Sequence, residues 1–176
     1  MDGPVAIVVH CEPTSLSREN KSAGRAAGPT ERLRGMGTYR YKVQKGGFGL
    51  FLGIAAEATH LTGPPTTGVP VSNRVWLDAS EVDNAFYRNR PALNEREVAW
   101  LRFGLGEVSG DIERVETSPY ILVTVRALEI LEADYAEATL APAIAGWAAQ
   151  KFCLTPRPCV VGRDSATGRI TFDRDE

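Results

Sequence analysis

A chain of 176 residues, 43% hydrophobic and 24% charged, is long enough to build a core without disulfide or metal support, and it reads as a single domain over 1–176. No apolar run approaches the ~20 residues that span a bilayer, and the amino terminus lacks the basic start of a secretory signal. The expectation is a cytoplasmic protein with no membrane contact, whose net charge of −2 conceals a basic segment on an acidic body.

That segment runs from Glu12 to Lys45. It holds eight basic residues (Arg18, Lys21, Arg25, Arg32, Arg34, Arg40, Lys42, Lys45) against three acids (Glu12, Glu19, Glu31), so the remainder carries −7. A basic stretch of this kind suits either a nucleic-acid contact or a solvated loop drawn to its own acidic domain.

In chain order, Val5–Val9 is a short apolar run that suits a buried strand. From Thr14 to Gly37 the sequence is rich in Ser, Gly, Ala and Arg without apolar periodicity, which predicts a long flexible loop at 14–37. A hairpin follows: Tyr39–Val43 alternates, Lys45-Gly46-Gly47 turns, and Phe48–Ala58 returns. In the returning strand Phe48, Leu50, Leu52, Ile54 and Ala56 share one face, with Gly49, Phe51, Gly53 and Ala55 opposite. The two glycines predict close approach by another element, a helix for choice. Val69–Leu77 reads as another strand, broken by Pro70 and therefore at an edge.

Ser80-Glu81-Val82-Asp83 resembles a helix start and predicts a short helix through Tyr87. A second start lies at Asn94, with Glu97 in the capping-box position and Leu93 placed to staple onto Val98. Its apolar stripe is Val98, Leu101, Leu105 and Val108, and Gly110 is the expected stop. Tyr120–Leu128 is rich in β-branched residues and predicts a strand. An acidic connection, Glu129–Asp134, leads to a helix over Thr139–Phe152 with Thr139 as N-cap and Leu140, Ile144, Trp147 and Ala148 on one face. Val160-Val161 and Ile170–Phe172 predict a terminal hairpin.

The catalytic inventory is thin. His10 and His60 lack metal-binding spacing, and His10-Cys11 are strand neighbours that point to opposite faces. Cys11, Cys153 and Cys159 form an odd set without metal-ligand spacing, expected as reduced thiols, with Cys153 a core thiol at a helix end. Lys45-Gly46-Gly47-Phe48-Gly49 lacks the P-loop spacing and the following helix, so it reads as a hairpin tip and no cofactor or metal is expected. Glu129, Glu132, Asp134 and Glu137 have the chemistry for acid–base work or a hard cation, but acids before a helix simply suit its dipole, which is the expected reading. Tyr39, Tyr41 and Phe48 interleave with Arg40, Lys42 and Lys45. That pattern fits base stacking with phosphate contact, or a strand with aromatics inward and cations outward.

The order of these elements resembles the fourth domain of translation elongation factor G and of the tetracycline ribosomal protection proteins, over about Tyr39 to Leu154. It begins with Gly46-Gly47-Phe48-Gly49 entering an alternating strand, then a Gly-Pro loop and a strand carrying Asn73. The helix from Asn94, the strand Ile121–Leu128 and an acidic loop into the Leu140-Ala141-Pro142 helix complete it. The resemblance implies a four-stranded sheet, helices on one face, a left-handed βαβ crossover and tip loops that reach the ribosomal decoding region. By position the tip loops are Lys45–Gly49 and Glu129–Asp134, the second without the histidine that the elongation factors carry. No GTP-binding domain accompanies them in this chain, so the resemblance implies no translocase activity.

The expected fold class is therefore α+β: a mostly antiparallel sheet of four to five strands with two main helices on one face. The expected function is a non-catalytic RNA- or ribosome-interacting module. The alternatives are a small enzyme or ligand-binding protein of specialised metabolism on the same fold, and a protein-interaction domain. Candidate RNA-binding residues are Arg32, Arg34, Arg40, Lys42, Lys45 and Phe48, and candidate tip-loop residues are Gly46, Gly47, Gly49, Glu132 and Asp134.

Overall fold

The computed structural model of the chain describes residues 37–45, 48–84, 93–156, 160–163 and 170–173. The Val5–Val9 strand, the 14–36 loop with Arg32 and Arg34, the residues His10, Cys11 and Cys159, and the turn glycines Gly46 and Gly47 lie outside these residues.

The fold is α+β. Strands β1 (Gly37–Lys45), β2 (Phe48–Leu61), β3 (Val69–Pro70), β4 (Val75–Asp78), β5 (Asp83–Asn84) and β6 (Tyr120–Ile130) make one sheet, with α1 (Glu95–Val115) between β5 and β6 and α2 (Leu140–Lys151) after β6. The sheet order is β1-β2-β6-β4-β3, with β5 also against β6. The β1/β2, β2/β6 and β3/β4 pairs are antiparallel, whereas β4 and β5 run parallel to β6. Parallel neighbours need a crossover, and here α1 supplies it between β4 and β6. The terminal strands β7 (Val160–Arg163) and β8 (Ile170–Asp173) pair antiparallel as a separate two-stranded sheet.

Alternation decides which sheet face is dry. Tyr39, Tyr41 and Val43 of β1, Leu50, Leu52, Ile54 and Ala56 of β2, Val75 and Leu77 of β4, and Ile121, Val123, Val125, Leu128 and Ile130 of β6 are all buried in one cluster. The step from Val125 to Leu128 is a β-bulge: Ala55 pairs with Ala127 and Ala56 with Val125, so Arg126 is the extra residue. Leu101, Leu105, Val108 and Ile112 of α1 and Leu140, Ile144, Trp147 and Ala148 of α2 close the same cluster. Burying side chains of this size contributes about 1.5–3 kcal/mol each.

Several expectations are corrected. The strand over Val69–Leu77 is two strands, and Asn73 lies in the connection between them, where Val71 and Ser72 donate their amides to the Val75 carbonyl. The expected short helix from Ser80 does not form over the described residues 80–84: residues 83–84 are β5, and the Ser80 amide and hydroxyl turn back to Asp78 Oδ1 at 3.0 and 2.7 Å, while its expected end at Tyr87 lies outside the described residues. Asn94 and Glu97 do form a reciprocal capping box, but α1 runs past Gly110 to Val115. Thr139 does not cap α2: it is itself helical in φ and ψ, and its hydroxyl donates to the Ala136 carbonyl at 2.6 Å. Cys153 is exposed rather than a core thiol, at φ 54 just beyond the helix end.

Candidate functional site at the hairpin end of the sheet

The strand pairing builds the site as three rows on the face opposite the core. Arg40 of β1 lies opposite Gly53 of β2, which lies opposite Glu129 of β6. Lys42 lies opposite Phe51, and Gln44 opposite Gly49. Leu131 follows the last paired residue of β6, and a single 3-10 turn over Glu132–Asp134 then brings the Asp134 carboxylate over Gly49.

This placement explains the two glycines and corrects the expectation of a helix against them. A Cβ at Gly53 would stand 2.8 Å from both Cβ and Oε2 of Glu129. A Cβ at Gly49 would stand 3.2 Å from Asp134 Oδ1. The neighbours are carboxylate side chains. Over Gly53 the arrangement is filled: Arg40 Nε donates to Glu129 Oε2 at 3.0 Å, so the ion pair spans a whole intervening strand. Over Gly49 the opposite position is Gln44, which carries no charge. Asp134 consequently has a neutral neighbour where Glu129 has a guanidinium, and its carboxylate forms no hydrogen bond or ion pair among the described residues.

Around this second notch lies an open groove of about 530 Å³ lined by Lys42, Val43, Gln44, Gly49, Leu50, Phe51, Leu131 and Asp134. Lys42 and Gln44 are exposed on its edge-strand wall, while Phe51 is half-buried. The groove joins the ends of the two stretches that the sequence singled out: Gly49 is the second residue of β2, and Asp134 ends the acidic connection. Glu132 is exposed beside it and Leu131 is 44% exposed, an apolar surface at the groove wall.

The sequence candidates divide accordingly. Arg40, Lys42, Gly49 and Asp134 come together at this end of the sheet, and the backbones of Lys45 and Phe48 close the β1/β2 ladder there. Tyr39 and Tyr41 do not take part. Both are buried in the core, so aromatics inward and cations outward is the arrangement that β1 adopts. The first turn of α2 holds no acidic residue, and Glu137 lies in the 3-10 turn that leads into it. Glu129 pairs with Arg40, and Glu137 accepts from Asn94 Nδ2 at 3.3 Å. Gln44, Phe51 and Leu131 were not singled out as site residues. The signal for Phe51 was present in the 49/51/53 alternation, but pairing Leu131 with that face requires the β2/β6 register.

Elsewhere the polar clusters have structural explanations. Arg126, displaced by the bulge, donates through Nε to Glu57 Oε1 at 2.7 Å. Ser80's hydroxyl, and then its amide, hold the Asp78 carboxyl below the ordinary aspartate value, with burial opposing them. His60 Nδ1 is 2.9 Å from Ser118 Oγ and 3.6 Å from Glu116 Oε2. Both contacts use one ring nitrogen, whereas a nucleophile–base–carboxylate relay needs the imidazole to bridge with two. No group of three or more His, Cys, Asp or Glu is placed to hold a metal ion among the described residues. No described helix is long and apolar enough to cross a membrane.

No protein-family model matches this sequence, and no curated protein matches it either.

Proposed function

We propose that the protein is a non-catalytic RNA-contacting module, a translation-factor-like domain without its GTPase, that binds through the hairpin end of its sheet. The observation that carries this reading is the exposed Lys42 standing opposite Phe51 at the end of the sheet where the glycine turn and the acidic connection converge. A cation beside an aromatic ring on a β surface is the arrangement that holds a single-stranded nucleic acid, the ring taking a base and the cation a phosphate. The reading rests on the resemblance to the fourth domain of elongation factor G, which implies a βαβ unit; α1 joins the parallel strands β4 and β6 in such a unit. Arg40 contributes after exchanging part of its contact with Glu129, an inexpensive exchange for a side chain 71% exposed.

Filter binding to single-stranded and structured RNA at two salt concentrations tests it. Affinity should fall with salt at a log–log slope of ~0.7 to 0.9 per phosphate contact, and replacing Arg40, Lys42 and Lys45 together should flatten that slope. Changing the carboxylates of the acidic connection should leave the slope as it is. Absence of binding at low salt, or an unchanged slope in the triple variant, would overturn the reading.

A small-molecule-binding protein on the same fold is favoured by one observation, the groove volume of about 530 Å³. That falls within the range of about 300–1,000 Å³ usual for ligand sites.

A further inference from the structure

The three rows of the sheet face contain an internal comparison. Over Gly53 a carboxylate reaches across a side-chain-free position and meets a donor, the Arg40 guanidinium. Over Gly49 a second carboxylate, Asp134, reaches across a second such position and meets none among the described residues. Phe51 stands on β2 between the two glycines, and Lys42 stands opposite it. The groove therefore offers one planar apolar surface, one acceptor with two adjacent oxygens and one exposed cation.

We propose that this groove takes one unpaired guanine nucleotide: the ring against Phe51, the Watson–Crick edge on Asp134, and the phosphate at Lys42. An ionised carboxylate is acceptor-only, so the matching base edge must present donors alone to it. Guanine does so, with N1–H and N2–H side by side, a pair that a carboxylate accepts with both oxygens. Adenine and cytosine each set a ring-nitrogen acceptor beside their amino donor, and uracil flanks its one donor with two carbonyls. Any of these would turn a lone pair towards Asp134. Gln44, on the same wall, carries an amide that can donate to guanine O6. Phe51 gives stacking without base preference, so Asp134 is the specificity-determining residue.

This inference deepens the RNA reading, and the experiment separates the two. Fluorescence anisotropy would be measured at low salt with labelled octauridine and with octauridine carrying one central guanosine, inosine or adenosine, and guanosine monophosphate would be used as a competitor. The guanosine strand should bind about ten-fold tighter than the adenosine strand, and the inosine strand, which lacks the N2 donors, should fall between them. Asp134→Asn should remove the guanosine preference while keeping residual, salt-sensitive binding to octauridine, with far-UV circular dichroism unchanged. Equal binding of the guanosine and adenosine strands by the native protein, or a guanosine preference that survives Asp134→Asn, would overturn the guanine site and leave the RNA reading standing. Binding of guanosine monophosphate with no binding of any strand would keep the guanine site and overturn the RNA reading in favour of a nucleotide-binding protein. Binding of neither would overturn both.

Discussion

Gly53 sits between two opposite charges, and its missing side chain is what lets them meet. A methyl group there would press on Glu129 at its Cβ, the stem of the side chain, where little rotation can relieve it. Gly53→Ala should therefore cost about 1–3 kcal/mol in urea denaturation, more than the small gain from restricting a strand glycine. Arg40→Ala removes only the exposed end of the same pair and should cost less than about 1 kcal/mol. If Arg40→Ala proved the more damaging of the two, the strand-spanning geometry would be wrong. Asp78 offers a test by titration. Its carboxyl is held below the ordinary value chiefly by Ser80, so it stabilises the fold at pH above the unfolded-state pKa. That contribution disappears as pH falls through the lowered folded-state value. Ser80→Ala should thus lose a little stability at neutral pH and none in strong acid, where both proteins have the carboxyl protonated. An equal loss at both ends of an acid titration would assign the effect to packing instead.

The helices show why element boundaries were only partly legible. The Asn94–Glu97 capping box was readable because it is local: both partners lie within one turn. The end of α1 was not, because helix propensity marks Gly104, Gly106 and Gly110 alike as weak points, while packing distinguishes them. A Cβ at Gly104 would lie 2.2 Å from the Ala141 carbonyl oxygen of α2, so this glycine is where the two helices touch backbone to backbone. A Cβ at Gly110 would meet nothing within 4 Å. Gly104→Ala should consequently destabilise by about 1–3 kcal/mol or more, since backbone must move, whereas Gly110→Ala should stabilise by about 0.5–1 kcal/mol. Urea midpoints that moved in the same direction for both would contradict the α1/α2 contact. Residues Asp83 and Asn84 illustrate the other failure. Acids after a serine are a sound helix signal, but pairing with Ala127 and Leu128 of a distant strand prevails.

At the scale of the whole molecule, the sheet and its two helices were legible from periodicity, whereas the groove depends on registers that bring residues 40, 53 and 129 into line. It also depends on how the chain between β6 and α2 is held, since that stretch carries Asp134. Two contacts tie it to the start of α1. Tyr135 Oη donates to Glu97 Oε1 at 2.6 Å, and Asn94 Nδ2 donates to Glu137 Oε1 at 3.3 Å. Glu97 is only 1% exposed and its other oxygen, Oε2, accepts the Asn94 amide at 2.9 Å, so one buried carboxylate joins the helix cap to the site connection. Removing one partner of a buried charged hydrogen bond costs about 1–3 kcal/mol, which is the loss expected for Tyr135→Phe. Glu97→Ala should cost more, because it also removes half of the capping box. If the two side chains act through each other, the double variant should fall short of the summed single losses by about 0.5–3 kcal/mol. Strict additivity in urea denaturation would mean that the connection is held independently of α1. A coupled pair would instead make the cap of α1 part of what sets Asp134 over Gly49, and Tyr135→Phe should then weaken binding in the groove although Tyr135 does not line it.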